Sequence, residues 1–259
     1  AEEHGALFAC GLAAEGMKPY IAIYSTFMQR CIDMIQHDAA LQKLPVRFCM
    51  DRAGLSPDDG PTHHGLFDIA MIRSIPNIVF MQPKDEAEFV HMLRTMNHYQ
   101  NGPTVIRYPR GCGAGTPVPA KAEILPIGKA EVLQTGRDVT LVSLGTMIGI
   151  ARETASLLEA RGYTVTLINA RFIKPLDDEC IRRHAARSRV VCTFEDHSIS
   201  GGFNSAVLES LETGDVKTPV EAIAWPDQFI EHGSESILRK KYGLTAEAAL
   251  QKIITHLNS

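Results

Sequence analysis

Arginines that could bind an anion follow the apolar runs in the first half of the chain. Arg30 comes soon after a first run, Arg52 directly follows a second, and Arg110 follows the fourth. Ligands bind at the carboxyl ends of strands in open α/β sheets, so these three side chains are expected to converge. Because planar guanidinium groups match phosphate oxygens, the pattern predicts a site for a phosphorylated ligand.

A loop with two carboxylates and two histidines lies between these arginines. Residues 56–65 read Ser-Pro-Asp-Asp-Gly-Pro-Thr-His-His-Gly, which is too rich in proline and glycine for a helix or a strand. Imidazoles can transfer protons near neutral pH. Taken singly, each arginine could belong to a surface ion pair, and each histidine could be an ordinary loop residue. Three arginines at strand ends argue against that reading.

Hydrophobic periodicity predicts the elements that hold these residues. Near-continuous apolar runs indicate strands buried on both faces of a parallel sheet. A segment of helical period begins at Asp85, and Asp85 with Glu88 has the spacing of a capping pair. A second helix is predicted from Ile148, Ala151, Ala155 and Leu158. The predicted strands cover residues 20–24, 46–50, 77–81, 104–108, 138–144, 163–168, 189–194 and 220–224.

The alternation of strands and helices predicts the fold class α/β, with two successive three-layer α/β domains and mostly parallel sheets. Glycines and prolines crowd together between residues 111 and 119 and indicate a break. We predict a first domain over residues 1–118, a linker over 119–125 and a second domain over 126–259. Neither domain contains a GxGxxG turn or a GxxxxGK[ST] loop, so an internally complete nucleotide-binding site is not supported.

Composition narrows the class of protein. A chain of 259 residues with 45% hydrophobic and 22% charged residues can bury a core, which argues against disorder and fibrous repeats. The net charge of -4 and the scattered basic residues argue against nucleic acid as a partner. No apolar run approaches the roughly 20 residues of a membrane-spanning helix. The six cysteines form no CxxC pair, which predicts reduced intracellular thiols. The start at Ala1 indicates a piece of a longer protein.

Six runs of sequence resemble the 1-deoxy-D-xylulose-5-phosphate synthase family. They are AEEHG (1–5), AIYSTFMQR (22–30), LPVRFCMDRAG (44–54), DGPTHHGLFD (59–68), RYPRG (107–111) and WPDQFIEHGS (225–234). The resemblance implies the C-terminal portion of such an enzyme, with a thiamine diphosphate pyrimidine-binding domain followed by a transketolase C-terminal domain. It also implies a transketolase-like fold, a homodimer with no membrane partner, and a cytoplasmic location, or a plastid for a plant-type source.

The reaction implied by the resemblance is a thiamine diphosphate-dependent transfer. Pyruvate is decarboxylated on the cofactor, and the remaining fragment attacks glyceraldehyde 3-phosphate to give 1-deoxy-D-xylulose 5-phosphate and CO₂. This product is a precursor of isoprenoids, thiamine and pyridoxal. In the family the N-terminal domain holds the diphosphate and Mg²⁺ through a GDG…N motif, which this sequence lacks. The resemblance therefore implies no metal ligand in this chain, and we expect the isolated chain to be inactive.

The resemblance also implies roles for individual residues. Glu2 matches the catalytic glutamate that hydrogen-bonds the aminopyrimidine ring of thiamine diphosphate, and Phe27 matches the aromatic residue that stacks on that ring. Without the resemblance, Glu2 would be a solvated residue at a helix start and Phe27 an ordinary core residue. His63 is a second catalytic candidate, and His64 is expected to be a spectator. The positions around glyceraldehyde 3-phosphate are matched by Tyr24, Arg30, Arg52, Asp59, His63 and Arg110.

One departure from the family pattern lies in the loop. Pro57 and Asp58 stand where the family usually has small residues before the Asp-Gly pair. Proline restricts itself and Ser56, which predicts a stiffer loop and puts the position of Asp59 in question. The extra carboxylate of Asp58 is expected to weaken the attraction for a phosphate.

The second domain offers no comparable cluster. Glu195, Asp196 and His197 are followed by glycines, and we expect them to be structural. The domain is expected to pack against the rest of a dimer, where Trp225, Phe229 and Ile230 are candidate buried residues. All six residues are candidates for a structural role in the second domain.

Two other hypotheses stay open from the sequence. A transketolase or a 2-oxoacid dehydrogenase β subunit shares this order of domains, although the DGPTHHG and WPDQFIEHGS runs favour the synthase. A non-catalytic binding or assembly module is the second alternative. The complete set of candidate residues from Glu2 to Arg110 argues against it.

Overall fold

The fold is taken from a computed structural model that describes residues 1–258. Its first half alternates helices and short strands, with a 3₁₀ turn at Gln29–Cys31 and a π-helix at Ile35–Ala40 among them. The other elements are α1 (Glu2–Ala14), β1 (Tyr20–Tyr24), α2 (Ser25–Met28), α3 (Ile32–Met34), β2 (Arg47–Asp51), α4 (Asp68–Ile72), β3 (Val79–Met81), α5 (Glu86–His98) and β4 (Thr104–Arg107).

The second half repeats this alternation and ends in two helices, with a 3₁₀ turn at Gly145–Met147. Its elements are β5 (Glu131–Gln134), β6 (Val139–Ser143), α6 (Ile148–Glu159), β7 (Val165–Asn169), β8 (Phe172–Lys174), α7 (Asp178–Ala185), β9 (Val190–Ser198), α8 (Phe203–Thr213), β10 (Val220–Trp225), α9 (Glu235–Tyr242) and α10 (Ala246–Leu257).

Two five-stranded sheets organise these elements. The first has the order β1-β2-β4-β3-β8 and the second β10-β9-β6-β7-β5. All pairs are parallel except β3 with β8 and β5 with β7. The predicted fold class is therefore confirmed. The second half also contributes β8, which pairs with β3 and forms one edge of the first sheet. The first sheet therefore contains strands from both halves. The domain boundaries proposed from the sequence stay a prediction.

The predicted elements are found close to their expected positions. Helix α5 begins at Glu86, and the side chain of its N-cap Asp85 accepts a hydrogen bond from Glu88 N over 2.9 Å. The four apolar residues predicted to share one helix face are all buried on α6. Strand β9 runs four residues further than predicted, because the polar residues at its carboxyl end are also buried.

The apolar core is continuous across the two halves. One buried cluster includes Phe48 and Val105 from the first sheet with Ile168 and Phe203 from the second half. This shared core fixes the position of one sheet against the other. Among residues 1–258, no helix combines the length and hydropathy needed to cross a membrane.

Within the single chain, two of the three residues predicted to be buried against the rest of a dimer are buried, and the dimer packing itself stays a prediction. Trp225 and Ile230 are buried as expected, whereas Phe229 is 80% exposed. The segment after β10 is irregular, so neighbouring side chains need not share a face, and Ile230 takes the inward position. The Phe229 ring only meets the ring of Phe67 edge-on, with the centroids 5.8 Å apart.

Candidate active site

The carboxyl ends of β1 and β2 bring two predicted residues into direct contact. Tyr24 is the last residue of β1, and Arg52 directly follows β2. The Arg52 guanidinium carbon lies 4.0 Å from the centroid of the Tyr24 ring, a cation–π contact. Arg52 has a left-handed backbone, with φ of 56°, and its N–H donates to Asp51 Oδ1 over 2.7 Å. Such a conformation in a non-glycine residue is uncommon and concentrates at functional sites.

Asp59 joins two of the predicted arginines. Its Oδ2 accepts hydrogen bonds from Arg52 Nη1 over 2.6 Å and from Arg110 Nη1 over 2.8 Å. Burial opposes ionisation of this carboxyl, but the charges of Arg110 and Arg52 outweigh it and lower the pKa of Asp59. The carboxylate is therefore ionised, and the three groups together carry one net positive charge. This arrangement can accept a further anion.

Arg30 belongs to a different part of the cluster. It lies in the 3₁₀ turn after α2, and its Nη1 donates to Glu2 Oε1 over 3.2 Å. The prediction that three arginines converge is therefore wrong in part, because Arg52 and Arg110 meet at Asp59 while Arg30 pairs with Glu2. The α2 helix follows β1 without a loop, and Arg30 lies in the turn that continues it.

Phe27 connects the two parts. Its ring stacks near Tyr24, with centroids 5.7 Å apart and planes 16° apart, and it meets the His63 ring edge-on at 5.4 Å. The Arg30 guanidinium carbon lies 4.8 Å from the Phe27 centroid. The eight predicted residues thus form one connected set of contacts, which we call the contact chain and in which His63 branches from Phe27: Glu2, Arg30, Phe27, His63, Tyr24, Arg52, Asp59 and Arg110. Their chemical roles stay predictions.

Glu2 lies at the first residue of α1, where a carboxylate complements the positive end of the helix dipole. The pKa of its carboxyl is lowered by its own backbone N–H, and further by Arg30. Its side chain is 22% exposed. An ionised carboxylate is thus held near the partly accessible ring of Phe27. The carboxylate of Glu2 and the ring of Phe27 both contact the Arg30 guanidinium.

A buried arginine that the sequence reading missed supports the cluster. Arg107 is fully buried and makes a two-point ion pair with Asp68, through Nε to Oδ2 at 3.0 Å and Nη2 to Oδ1 at 3.1 Å. It also donates to Gln82 Oε1, Gly65 O and Asp196 O. The sequence signal that could have identified Arg107 is a charged residue within an apolar strand. Arg107 ties β4 to the loop of residues 56–65 and to the second half.

The loop of residues 56–65 is compact. Asp59 N and Gly60 N both donate to Ser56 O over 3.1 Å, which closes a tight turn around Pro57. Asp59 contacts both Arg52 and Arg110 from this turn, so Pro57 does not prevent Asp59 from reaching the arginines. Asp58 is 79% exposed, and its Oδ2 lies 3.7 Å from Arg110 Nη1.

His64 is buried and has structural contacts away from the contact chain. Its Nδ1 accepts a hydrogen bond from Ser56 N over 3.0 Å. Its Nε2 lies 3.4 Å from Glu231 O in the second half. Burial lowers the pKa of His64.

The polar cluster at the end of β9 anchors neighbouring elements. Glu195 accepts hydrogen bonds from Phe203 N over 2.6 Å and Asn204 N over 2.8 Å, and so caps α8. Burial raises the pKa of Glu195 to about 8 and lowers the pKa of His197 to about 4. These contacts agree with the expected structural role. Among the residues that the structure describes, no three His, Cys, Asp or Glu residues group as a metal site would require.

Comparisons with protein families match both halves of the chain. The transketolase pyrimidine binding domain matches residues 1–114, and the transketolase C-terminal domain matches residues 128–248.

Curated relatives carry the name that the sequence motifs suggested. The chain is 53% identical over 262 residues to 1-deoxy-D-xylulose-5-phosphate synthase of Methylacidiphilum infernorum, covering 100% of this chain and 41% of that protein. It is 52% identical over 258 residues to the same-named protein of Acidobacterium capsulatum, covering 99% of this chain and 41% of that protein. The resemblance seen in the sequence is therefore confirmed. The chain spans about two fifths of the length of these relatives.

Solved structures agree on the fold. A transketolase of Campylobacter jejuni matches with a TM-score of 0.79 at 19% identity, covering 98% of this chain and 38% of that chain, which supports the fold alone. A chain described as a split gene transketolase, inactive beta4 tetramer, matches with a TM-score of 0.89 at 30% identity, covering 100% of this chain and 82% of that one. The chain therefore belongs to the transketolase family, with the pyrimidine-binding domain of that family followed by its C-terminal domain.

Proposed function

We propose that this chain is the C-terminal portion of a thiamine diphosphate-dependent 1-deoxy-D-xylulose-5-phosphate synthase. The observation that carries the proposal is the contact chain. At one end Arg30 joins the Glu2 carboxylate to the Phe27 ring, and at the other end Asp59 joins two arginines. The identity of 53% to a protein of that name supports the choice within the family. The complete enzyme would condense pyruvate with glyceraldehyde 3-phosphate to give 1-deoxy-D-xylulose 5-phosphate and CO₂.

Glu2 and Phe27 would hold the pyrimidine end of the cofactor. Thiamine diphosphate, when bound, supplies the electron sink for decarboxylation of a 2-oxo acid. The ionised Glu2 carboxylate would accept a hydrogen bond from a ring N–H, and Phe27 would offer its ring for stacking. The diphosphate and Mg²⁺ would be bound mainly by the N-terminal half of the enzyme, which is a proposed partner of this chain.

Arg52 and Arg110 would bind the phosphate of glyceraldehyde 3-phosphate. Asp59 holds them side by side at 2.6 and 2.8 Å from one oxygen, so a phosphate meets two guanidinium groups already in place. The Tyr24 ring packs against the Arg52 guanidinium and supports its position. This preorganisation reduces the entropy lost when the acceptor binds.

His63 would act at the carbonyl end of the acceptor. Thr62 Oγ1 lies 2.9 Å from His63 Nδ1, and the His63 ring rests against Phe27. We assign Nε2 as the atom that holds a proton toward the acceptor carbonyl oxygen. Arg30 and Asp59 would orient the acceptor between this histidine and the phosphate site.

The proposed assembly is a homodimer of the complete enzyme, and we expect the isolated chain to be inactive. The runner-up function is ketol transfer, because the split gene transketolase shares the fold at 30% identity. An assay of the complete enzyme separates the two functions by the donor that it uses. Release of CO₂ from pyruvate with glyceraldehyde 3-phosphate as acceptor supports the synthase. Turnover of a ketose phosphate donor without release of CO₂ would support the transketolase instead.

A further inference from the structure

The loop of residues 56–65, here called the acceptor loop, is held from outside by the C-terminal domain. Residues 225–232, which we call the clamp segment, lie against it. His232 Nε2 lies 3.2 Å from Asp58 O, and His64 Nε2 lies 3.4 Å from Glu231 O. Each domain thus contributes one imidazole to the contact.

The residues at the two ends of the acceptor loop are also fixed by the C-terminal domain. Leu55 and Leu66 are buried in the same apolar cluster as Trp225 and Ile230. Ser198 N donates to Leu66 O over 2.9 Å. The loop therefore cannot shift without disturbing the core of the other domain.

Gly54, at the entry to the loop, leaves no room for adjustment. Its φ is 92°, and an added Cβ would lie 2.4 Å from Asp196 Oδ2. The close approach of the two domains at this point requires glycine. The entry of the acceptor loop is therefore set by β9, on which Asp196 lies.

The clamp segment itself is anchored at both ends. Trp225 Nε1 donates to Asp196 Oδ1 over 2.6 Å, and Arg239 Nη2 donates to Asp196 Oδ2 over 3.1 Å. At the other end, Glu231 Oε2 accepts from the Tyr242 hydroxyl over 2.5 Å, and Glu231 Oε1 pairs with a lysine of α9. These contacts give the loop a rigid support.

The hydrogen-bond partners fix the proton positions on both histidines. A backbone N–H can only donate, so His64 Nδ1 accepts from Ser56 and carries no proton. Its Nε2 then carries the proton and donates to Glu231 O. His232 Nε2 likewise donates, because its partner is the carbonyl of Asp58. His64 is therefore the neutral tautomer in this arrangement.

We propose that His64 and His232 are positioning residues for the acceptor phosphate. By holding Ser56 and Asp58, they fix the turn from which Asp59 reaches Arg52 and Arg110. The C-terminal domain thereby sets the geometry of an anion site formed by residues of the other domain. This inference rests on the proposed function, because it assigns the anion as the phosphate of the acceptor.

The test uses the complete enzyme with substitutions at His232, which is exposed and whose loss leaves the core intact. In His232→Ala, the KM for glyceraldehyde 3-phosphate should rise roughly threefold to tenfold, the effect of one lost hydrogen bond. The kcat and the KM for pyruvate should stay within twofold. In His232→Gln, whose amide N–H can replace the imidazole donor, most of the loss should be recovered. His184→Ala on α7 is the matched control and should leave all three constants unchanged.

A double substitution shows whether His232 acts through the arginines. With Arg110→Ala already present, His232→Ala should add less loss than it causes in the parent, because one of the two phosphate contacts that it positions is gone. Glyceraldehyde without phosphate should respond little to His232→Ala. A full additional loss in the double variant, or an equal loss with the unphosphorylated acceptor, would overturn the inference.

Hydrogen exchange separates this inference from the proposed function. In the same complete protein, the Asp59 and Gly60 amides should exchange faster in His232→Ala than in His232→Gln or the parent. Unchanged exchange in His232→Ala would overturn the clamp. A parent enzyme that fails to turn over pyruvate and glyceraldehyde 3-phosphate would instead overturn the proposed function, and the exchange result would still decide whether the segment holds the loop.

Discussion

Arg52 and Arg110 donate to the same carboxylate oxygen, Asp59 Oδ2, over 2.6 and 2.8 Å. The two arginines come from the ends of different strands, so only the folded sheet brings them together. A phosphate that bound here, as we propose, would meet two guanidinium forks whose separation one side chain has already set.

Arg52→Ala and Arg110→Ala should each weaken the use of glyceraldehyde 3-phosphate by the complete enzyme. A hydrogen bond to a charged group contributes roughly 1.5–3 kcal/mol, and about 1.4 kcal/mol is a factor of ten. Each change should therefore lower kcat/KM for the acceptor by about one to two orders of magnitude and spare the KM for pyruvate. Lysine at either position should recover only part of the loss, because a point charge does not reproduce the planar fork.

Glyceraldehyde without phosphate is the control for these two variants. It should be a poor acceptor for the parent and lose little further in either variant, since it never makes the deleted contact. Equal proportional losses with both acceptors would show that the arginines shape the site in general and do not recognise the phosphate.

Asp58→Ala should improve binding of the acceptor. The Asp58 carboxylate lies 3.7 Å from Arg110 Nη1 and competes with a phosphate for that charge. Because Asp58 is 79% exposed, solvent screens the effect, and we expect the KM for glyceraldehyde 3-phosphate to fall by only about twofold at low ionic strength. Steady-state kinetics at low and high salt checks this. Asp58→Asn should behave like Asp58→Ala, and an effect that persists unchanged at high salt would exclude an electrostatic cause.

The sequence predicted eight of the ten strands, and the two that it missed, β5 and β8, lie at sheet edges. Strands such as β4 and β6 are buried on both faces, so each leaves a continuous apolar run. Strands β5 and β8 left no such signal, because β5 is partly exposed and β8 has only three residues. The pairing of β8 with the sheet of the other domain is non-local, and periodicity does not report it.

Only part of the candidate site was predicted, because the sequence does not report contacts between distant residues. The rule that ligands bind at strand ends grouped Arg52 with Arg110, but it also placed Arg30 with them. In the structure Arg30 lies in the turn after α2 and donates a hydrogen bond to Glu2 instead of to Asp59. The structural role of Arg107 was not predicted, because its partner Asp68 lies 39 residues away in the chain.

His197 makes a contribution to stability that is lost in acid, and its neighbour Glu195, with its pKa raised to about 8, makes one of the opposite sign. Burial lowers the pKa of His197 to about 4, whereas an unfolded histidine titrates near 6.5. The unfolded state therefore binds a proton first, so this contribution is complete above pH 6.5 and is lost as the pH falls toward 4. The total is on the order of 3 kcal/mol in the free energy of unfolding.

Urea unfolding between pH 7 and pH 4 measures this contribution. His197→Gln removes the titrating group but keeps Glu195, so the difference in the free energy of unfolding, parent minus variant, should fall as the pH falls from 7 to 4. Parallel curves for the two proteins would show that His197 keeps an ordinary pKa in the folded state.

Glu2→Ala should suppress activation of the cofactor in the complete enzyme while leaving the fold intact. The side chain is 22% exposed at a helix start, so its removal leaves no cavity in the core. Loss of a proton-sharing carboxylate typically costs a factor of about 10²–10⁴ in rate. Deuterium exchange at the thiazolium carbon of added thiamine diphosphate reports the step directly. Exchange as fast in Glu2→Ala as in the parent would show that Glu2 has a different role.

The central claim is that this chain forms the cofactor-pyrimidine and acceptor-phosphate sites of a 1-deoxy-D-xylulose-5-phosphate synthase. Its most direct test supplies the complete enzyme with thiamine diphosphate, Mg²⁺, ¹³C-labelled pyruvate and glyceraldehyde 3-phosphate, and follows the label by NMR. We expect the carboxyl carbon of pyruvate to appear as CO₂ and the other two carbons to appear in 1-deoxy-D-xylulose 5-phosphate. Pyruvate left unconsumed, with ketol transfer from a ketose phosphate to the same acceptor, would contradict the claim.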